Sequence, residues 1–271
     1  MKPIKLYWCR GEGRSDSSKQ NFGDYLSPLL VEMLSGRKVE YAPVQRADLM
    51  AVGSILGREA KAKRLGFLPH RLHIWGTGTG AEQASYSGRH YYHAVRGALT
   101  RAQIDSSCSD PMLGDPGLLA PWVLGDRKRP VVAKQIRVGL IAHYADQAEP
   151  VLAELLASIP GARLINVFSP VKQVLAEIAS SDFVLSSSMH GLIVADSFGV
   201  PNQWLLLSRG RISEYKFADY YSAFGLSGLQ PLLPQAVLRG GPALLERLRA
   251  DYQRPGLKQI QQNLLGSFPQ L

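Results

Sequence analysis

Short apolar runs alternate along the chain with segments of helical period, the pattern of βα units wound around mostly parallel sheets. IKLYWC (4–9) predicts the opening strand, and Cys9 ends it. After a loop rich in Gly and Ser, YLSPLLVEMLSG sets Leu26, Leu29, Leu30, Met33 and Leu34 on one helical face, with Gly36 as the stop. Asp24, in NFGD, stands where that helix needs an N-cap. Further strands are expected at KVEY (38–41), DLMAVG (48–53), RLHIWG (71–76) and YYHAVR (91–96). Several of these end on glycine or a polar residue at the carboxyl end, where α/β proteins place their ligands.

GDPGLLAPWVLGDRKRP (114–130) turns basic and loop-like, which suits a linker, and the pattern then starts again. QIRVGLIAH (135–143) predicts a strand, EPVLAELLASI a helix, and RLINVF a strand. In SPVKQVLAEIASS, Ser169 caps, Pro170 takes the first helical position, and Val171, Val174, Leu175 and Ile178 share a face. DFVLSSS is the next strand and HGLIVADSFG the next helix, closed by Gly199 with Pro201 beyond it. The expected fold class is α/β, two Rossmann-like domains with mostly parallel sheets facing a cleft. They cover residues 1–130 and 131–234, and a helical tail (235–271) packs back on the first. Neither half has GxGxxG after its first strand and GxxxxGK[ST] is absent, which argues against dinucleotide binding and P-loop hydrolysis.

Composition narrows the classes. With 271 residues, 45% of them hydrophobic, the chain can bury two cores of the usual size. No run approaches the ~20 apolar residues of a membrane span, and MKPIKLYWCRGEG lacks a signal-peptide core, so a soluble, unexported protein is expected. Cys9 and Cys108 make no disulfide framework and no CxxC pair, and packing roles without a metal are expected for both. The formal charge of +9 raises anionic partners. RKR (127–129) and KAKR (61–64) are short, however, and no basic run is interleaved with aromatics, so nucleic acid is not an expected partner. Acidic lipid headgroups and phosphorylated substrates stay open.

Candidate chemistry gathers at strand ends. His190 follows a strand and begins a helix, whose free N–H groups and partial positive charge favour an anion. Flanked by Ser187 and Ser188, it either caps the helix or exchanges protons with a substrate. Asn21 offers a donor and an acceptor to sugar hydroxyls, Gly23 lets backbone approach a ligand, and Asp24 is a cap or an acid–base group. WGTGTG (75–80), with Gly76 and Thr77, is a Gly-rich turn suited to close approach. Arg96 ends a strand with a fork that either clamps a carboxylate or phosphate or is merely solvated. Asp115 stands before proline in a constrained turn, and His143 points toward the cleft edge of His190 unless it is buried and satisfied.

Taken in order, NFGD (21–24), WGTG (75–78), VRG (95–97), GDPGLL (114–119), SSSMHG (186–191) and FADYY (217–221) resemble the polysaccharide pyruvyl transferase family, especially short members similar to the xanthan ketal pyruvyl transferase. The resemblance implies a GT-B-like fold and transfer of pyruvate from phosphoenolpyruvate to two hydroxyls of one sugar, as a cyclic ketal, with phosphate released. It implies an acceptor side in the first domain, at Asn21, Asp24, Gly76, Thr77 and Asp115. The donor side falls in the second, with His190 as general acid or base and Arg96, His143 and Ser187 around the donor. Ser188 stands where many relatives carry Arg, and Arg211 or Lys216 is the expected replacement. The implied co-substrate is phosphoenolpyruvate with no further cofactor. The implied partner is a polyprenyl-diphosphate-linked oligosaccharide met in the cytoplasm at the inner face of the membrane. A GT-B-like glycosyltransferase using a nucleotide sugar, and a non-catalytic polysaccharide-assembly protein, share the architecture and remain alternatives.

Overall fold

A computed structural model describes residues 2–64, 68–125 and 133–271. The expected boundary near residue 130 and the RKR run therefore lie outside the described residues. The first half contributes β1 (Ile4–Tyr7), β2 (Val39–Tyr41), β3 (Leu49–Met50), an antiparallel ribbon of β4 (Lys63–Arg64) and β5 (Leu68–Pro69), then β6 (His73–Trp75), β7 (Tyr91–Val95) and β8 (Met112–Leu113). The ribbon stands apart, and the other six form one sheet in the order β2-β1-β3-β6-β7-β8. From the second half, β9 (Ile136–Ile141), β10 (Ala162–Leu164), β11 (Ser181–Ser186) and β12 (Asn202–Trp204) form a sheet in the order β10-β9-β11-β12. Every pairing in the two sheets is parallel. Strands covered on both faces need apolar residues on both, which is why β9 buries Val138, Gly139, Leu140 and Ile141 in succession.

The helices are α1 (Phe22–Ser35), α2 (Ala98–Arg101), α3 (Ala120–Val123), α4 (Val151–Ser158), α5 (Val171–Ala179), α6 (Met189–Phe198), α7 (Tyr215–Ser222), α8 (Pro234–Ala250) and α9 (Leu257–Gly266). On α1 the predicted face buries Leu26 and Leu30 together with Phe22 and Val31, while Leu29, Met33 and Leu34 pack against the same core. Gly36 ends it in the left-handed region at φ 63°.

Local chemistry corrects several boundaries. The helix begins at Phe22, so Asn21 is the cap residue and Asp24 lies inside the first turn rather than capping it. Pro170, not Ser169, flanks α5, because its carbonyl already accepts from Gln173 N and Val174 N. β1 stops at Tyr7, which leaves Cys9 beyond the strand and exposed. RLINVF holds strand geometry only to Leu164, and Ile165 and Val167 turn into the core.

One apolar cluster runs without a break from Leu6 and Leu30 under the first sheet, through Leu118 and Leu119, to Val184, Ile193 and Tyr220 around the second. α9 lies against β8, where Trp75 Nε1 donates to Leu264 O at 3.1 Å and Gln261 Nε2 to Leu118 O at 2.8 Å. No helix among the described residues is long and apolar enough to cross a membrane.

Candidate active site

The turn from β11 into α6 sets the first element of the site. Ser188 N donates to Ser186 Oγ at 3.0 Å, and Ser188 becomes the cap residue of α6 with no side-chain capping bond. His190 follows as the second helical residue, buried, and its Nε2 has no hydrogen-bond partner among the described residues. Its ring lies on the backbone of α1: a Cβ at Gly23 would overlap His190 Nδ1. Phe22 N donates to Val167 O at 2.9 Å, so the start of α1 is tied to the loop after β10. NFGD and SSSMHG, each read separately from the sequence, thus meet face to face.

Around this contact the charges are few and perturb one another. Burial lowers the His190 pKa to about 3, and the cations of Lys216 and Arg96 press in the same direction. His143, two residues past β9, is likewise lowered to about 3 by burial and by Lys216. Its Nδ1 accepts from Ala145 N at 3.2 Å, so it is the neutral cap of a short turn. Asp24 is pushed up to about 6 by burial, against the opposing pull of the Asn21 amide, which donates to its Oδ2 at 3.0 Å, and of Lys216. Lys216, on α7, is lowered to about 8 by burial and by Arg96, with Asp24 and Asp146 resisting. Its ammonium lies 5.4 Å from the Phe217 ring centroid and forms no ion pair with a described carboxylate. Lys216, His143, His190 and Asp24 therefore share one electrostatic environment where the carboxyl ends of both sheets meet.

Other expected residues are engaged elsewhere. Ser187 donates to Asp146 Oδ2 at 2.6 Å and accepts from His143 N at 2.9 Å. Arg211 binds Glu149 Oε1 at 2.7 Å and Ala145 O at 2.8 Å. Of the two replacements expected for a cation at position 188, Lys216 is thus the one left free. Arg96 is neither solvated nor open to a ligand. It is fully buried, with Nε donating to Asp219 Oδ2 at 2.8 Å, Nη1 to Ser54 Oγ at 2.6 Å and Nη2 to Thr79 O. Asp219 also accepts from Thr100 N and Thr100 Oγ1, both at 2.7 Å. Gly97 makes this approach feasible, since a Cβ there would overlap the Asp219 backbone carbonyl. VRG therefore docks α7, the helix that carries Lys216, onto the first sheet.

The Gly-rich turn and GDPG also face inward. Gly76, at φ 84°, packs on Pro116, and Thr77 is fully buried with its hydroxyl donating to Gly53 O at 2.6 Å. Asp115 is fully buried, and its Oδ1 accepts from Gly117 N at 2.8 Å. Its Oδ2 has no partner among the described residues, and burial pushes its pKa to about 6.

Sequence reasoning missed Asp146 and Asp219. Asp219 lay inside the quoted FADYY run, while Asp146 has no sequence signal beyond its nearness to His143. Among the described residues no group of three or more His, Cys, Asp or Glu is arranged to hold a metal ion.

Two parallel α/β sheets that bring a lysine, two histidines and a carboxylate to their common carboxyl edge define a two-lobed Rossmann-like protein. The polysaccharide pyruvyl transferase family model matches residues 21–205, and the chain belongs to that family, one of transferases. It is 30% identical over 238 residues to the succinoglycan biosynthesis protein ExoV of Rhizobium meliloti (strain 1021), covering 84% of this chain and 66% of that protein. An uncharacterized protein of Acanthamoeba polyphaga mimivirus is 26% identical over 214 residues, covering 76% of this chain and 71% of the relative.

Proposed function

We propose that this protein transfers pyruvate from phosphoenolpyruvate to two hydroxyls of one sugar in an exopolysaccharide oligosaccharide, releasing phosphate and leaving a cyclic ketal. The observation that carries the reading is the Lys216 cluster, an unpaired cation beside two neutral histidines and the free start of α6. Phosphoenolpyruvate brings about three negative charges, and a helix N-terminus with a lysine is suited to gather them. His190 is neutral in the empty site, and the arriving anion raises its pKa and lets it carry a proton. That proton goes to C3 of the enol, making it a methyl group and C2 an electrophile. The first sugar hydroxyl adds to C2 and gives its proton to Asp24, whose raised pKa suits a base near neutrality. The C2–O bond to phosphate then breaks, the phosphate takes up a proton, and the second hydroxyl closes the ring, its proton returning to His190. One proton enters C3 and two leave the sugar, so the balance closes with phosphate as the only other product.

The relative named for succinoglycan biosynthesis supports an exopolysaccharide repeat as acceptor. A polyprenyl-diphosphate carrier at the cytoplasmic leaflet fits the formal charge of +9, which favours an acidic surface. The test is incubation with phosphoenolpyruvate and lipid-linked oligosaccharides, reading phosphate release and a product heavier by pyruvate less water. His190→Ala should lower kcat by about 10²–10⁴. Turnover of a nucleotide sugar, with no phosphate released from phosphoenolpyruvate, would overturn the reading, and unchanged kcat in the variant would leave His190 a packing role against Gly23.

A further inference from the structure

Asn21 occupies the cap position of α1 without capping it. An asparagine there ordinarily turns its side-chain oxygen onto a free N–H of the first turn, yet Asn21 makes no such bond. Its amide instead donates forward to Asp24 Oδ2 at 3.0 Å. The backbone around it is fixed, since Asn21 O accepts from Tyr25 N at 3.1 Å and Phe22 N donates to Val167 O at 2.9 Å. A helix start that gives up its own cap to hold a carboxylate is organised around that carboxylate.

The bond makes the two carboxyl oxygens unequal. Oδ2 is occupied, whereas Oδ1 receives no bond from a described residue and is not sealed from water. It faces the turn after β3, where a Cβ at Gly53 would stand 3.8 Å from it. The ionisable groups that act on Asp24, or on which it acts, are Lys216 from α7, Tyr7 and Cys9 at the end of β1, Tyr25 on α1 and Tyr144 after β9, and His190 rests on the adjoining Gly23. Burial above all raises the tyrosines and Cys9, while Lys216 changes charge near pH 8 and His190 near pH 3. Among these groups, the window from pH 5 to pH 7 is that of Asp24.

We propose that Asn21 is a positioning residue of the transfer reaction: its amide pins Oδ2 of Asp24 and leaves Oδ1 to take the proton of the sugar hydroxyl, so that Asn21 acts on the base rather than on the sugar. A hydrogen bond to the ionised carboxylate also favours that form. The proposal rests on the transfer reading with Asp24 as its base, but the acidity of Asp24 is measured apart from turnover. Asn21→Ala and Asn21→Gly both remove the donor, and since Asn21 makes no capping bond, both should melt within a few degrees of the wild type. Carbon-13 NMR of the Asp24 carboxyl, in the protein alone, should show its midpoint raised by about one pH unit in either variant, tenfold in acidity. With phosphoenolpyruvate and acceptor saturating, the loss of kcat relative to the wild type should be about tenfold greater at pH 5.5 than at pH 8.5, because the base is then protonated over more of the acid range. An unmoved carboxyl midpoint in both variants overturns the proposal. So does a kcat loss equal at the two pH values, because lost packing or a lost sugar contact does not titrate with Asp24. A midpoint that moves while the kcat profile keeps its shape would instead remove Asp24 as the base and sink that step of the transfer reading.

Discussion

At the scale of single residues, the site is built from groups held away from their ordinary protonation. His190 and His143 are lowered to about 3, so the stability they lend is complete above pH 6.5 and drains away on acidification, when the unfolded chain takes up protons the folded one refuses. Asp115 acts in the opposite sense. Raised to about 6 by burial, it holds a proton in the folded state that the unfolded chain gives up near pH 4, so its contribution fades as pH rises through that window. The histidines dominate, and the melting temperature should fall from pH 6.5 to pH 4. Asp24, also raised to about 6, acts in the same sense, and Asp115→Asn removes the Asp115 share of the offset, so the variant should fall more steeply, by on the order of 2 kcal/mol across the window. Melting curves that run parallel for variant and wild type would mean that the buried carboxyl ionises without cost.

Among the elements, α7 matters most for the site, because its place depends on a charge pair that is fully out of water. Arg96 and Asp219 are both fully buried, and removing one partner of such a pair typically costs about 3–5 kcal/mol. Asp219→Ala should therefore lower the unfolding free energy from denaturant titration by that amount, while Arg96→Met with Asp219→Leu should recover much of it, since no lone charge remains. A single variant as stable as the wild type would show that α7 is held by its apolar face alone. This pair also marks the limit of what the sequence discloses. Helical and strand periods located α1, α5, α6, β7, β9 and β11, because burial on one or both faces writes itself into spacing. Arg96 was legible as important but not as buried, since its partner on α7 is far away along the chain and nothing local requires one. Asp24 looked like a cap because one turn's shift of a helix start leaves the apolar face unchanged. Lys216 drew notice only through the absence of a cation at Ser188, and its burial near Asp24 and Asp146 without a direct ion pair among the described residues is a property of the assembled sheets.

For the whole molecule, the apolar cluster common to both sheets is the governing fact. α1, α3, α5 and α6 pack on one another across the junction, and α9 returns to β8, so the two lobes share their largest apolar cluster while each keeps a smaller one of its own. Unfolding should then be one cooperative transition, seen alike by Trp fluorescence of Trp8 and Trp75 on one side and Trp204 on the other through single-tryptophan variants. Two separated transitions would assign the lobes independent stability. A fused core also bears on how the proposed chemistry is spaced. In two-lobed proteins that open and shut, the gap between partners is set by a hinge. Here it is set by the lack of a methyl group at Gly23, on which the His190 ring rests. Position 23 is in that sense a gauge block: any side chain there would have to push the His190 ring away from α1, and would widen the spacing that the proposed transfer needs.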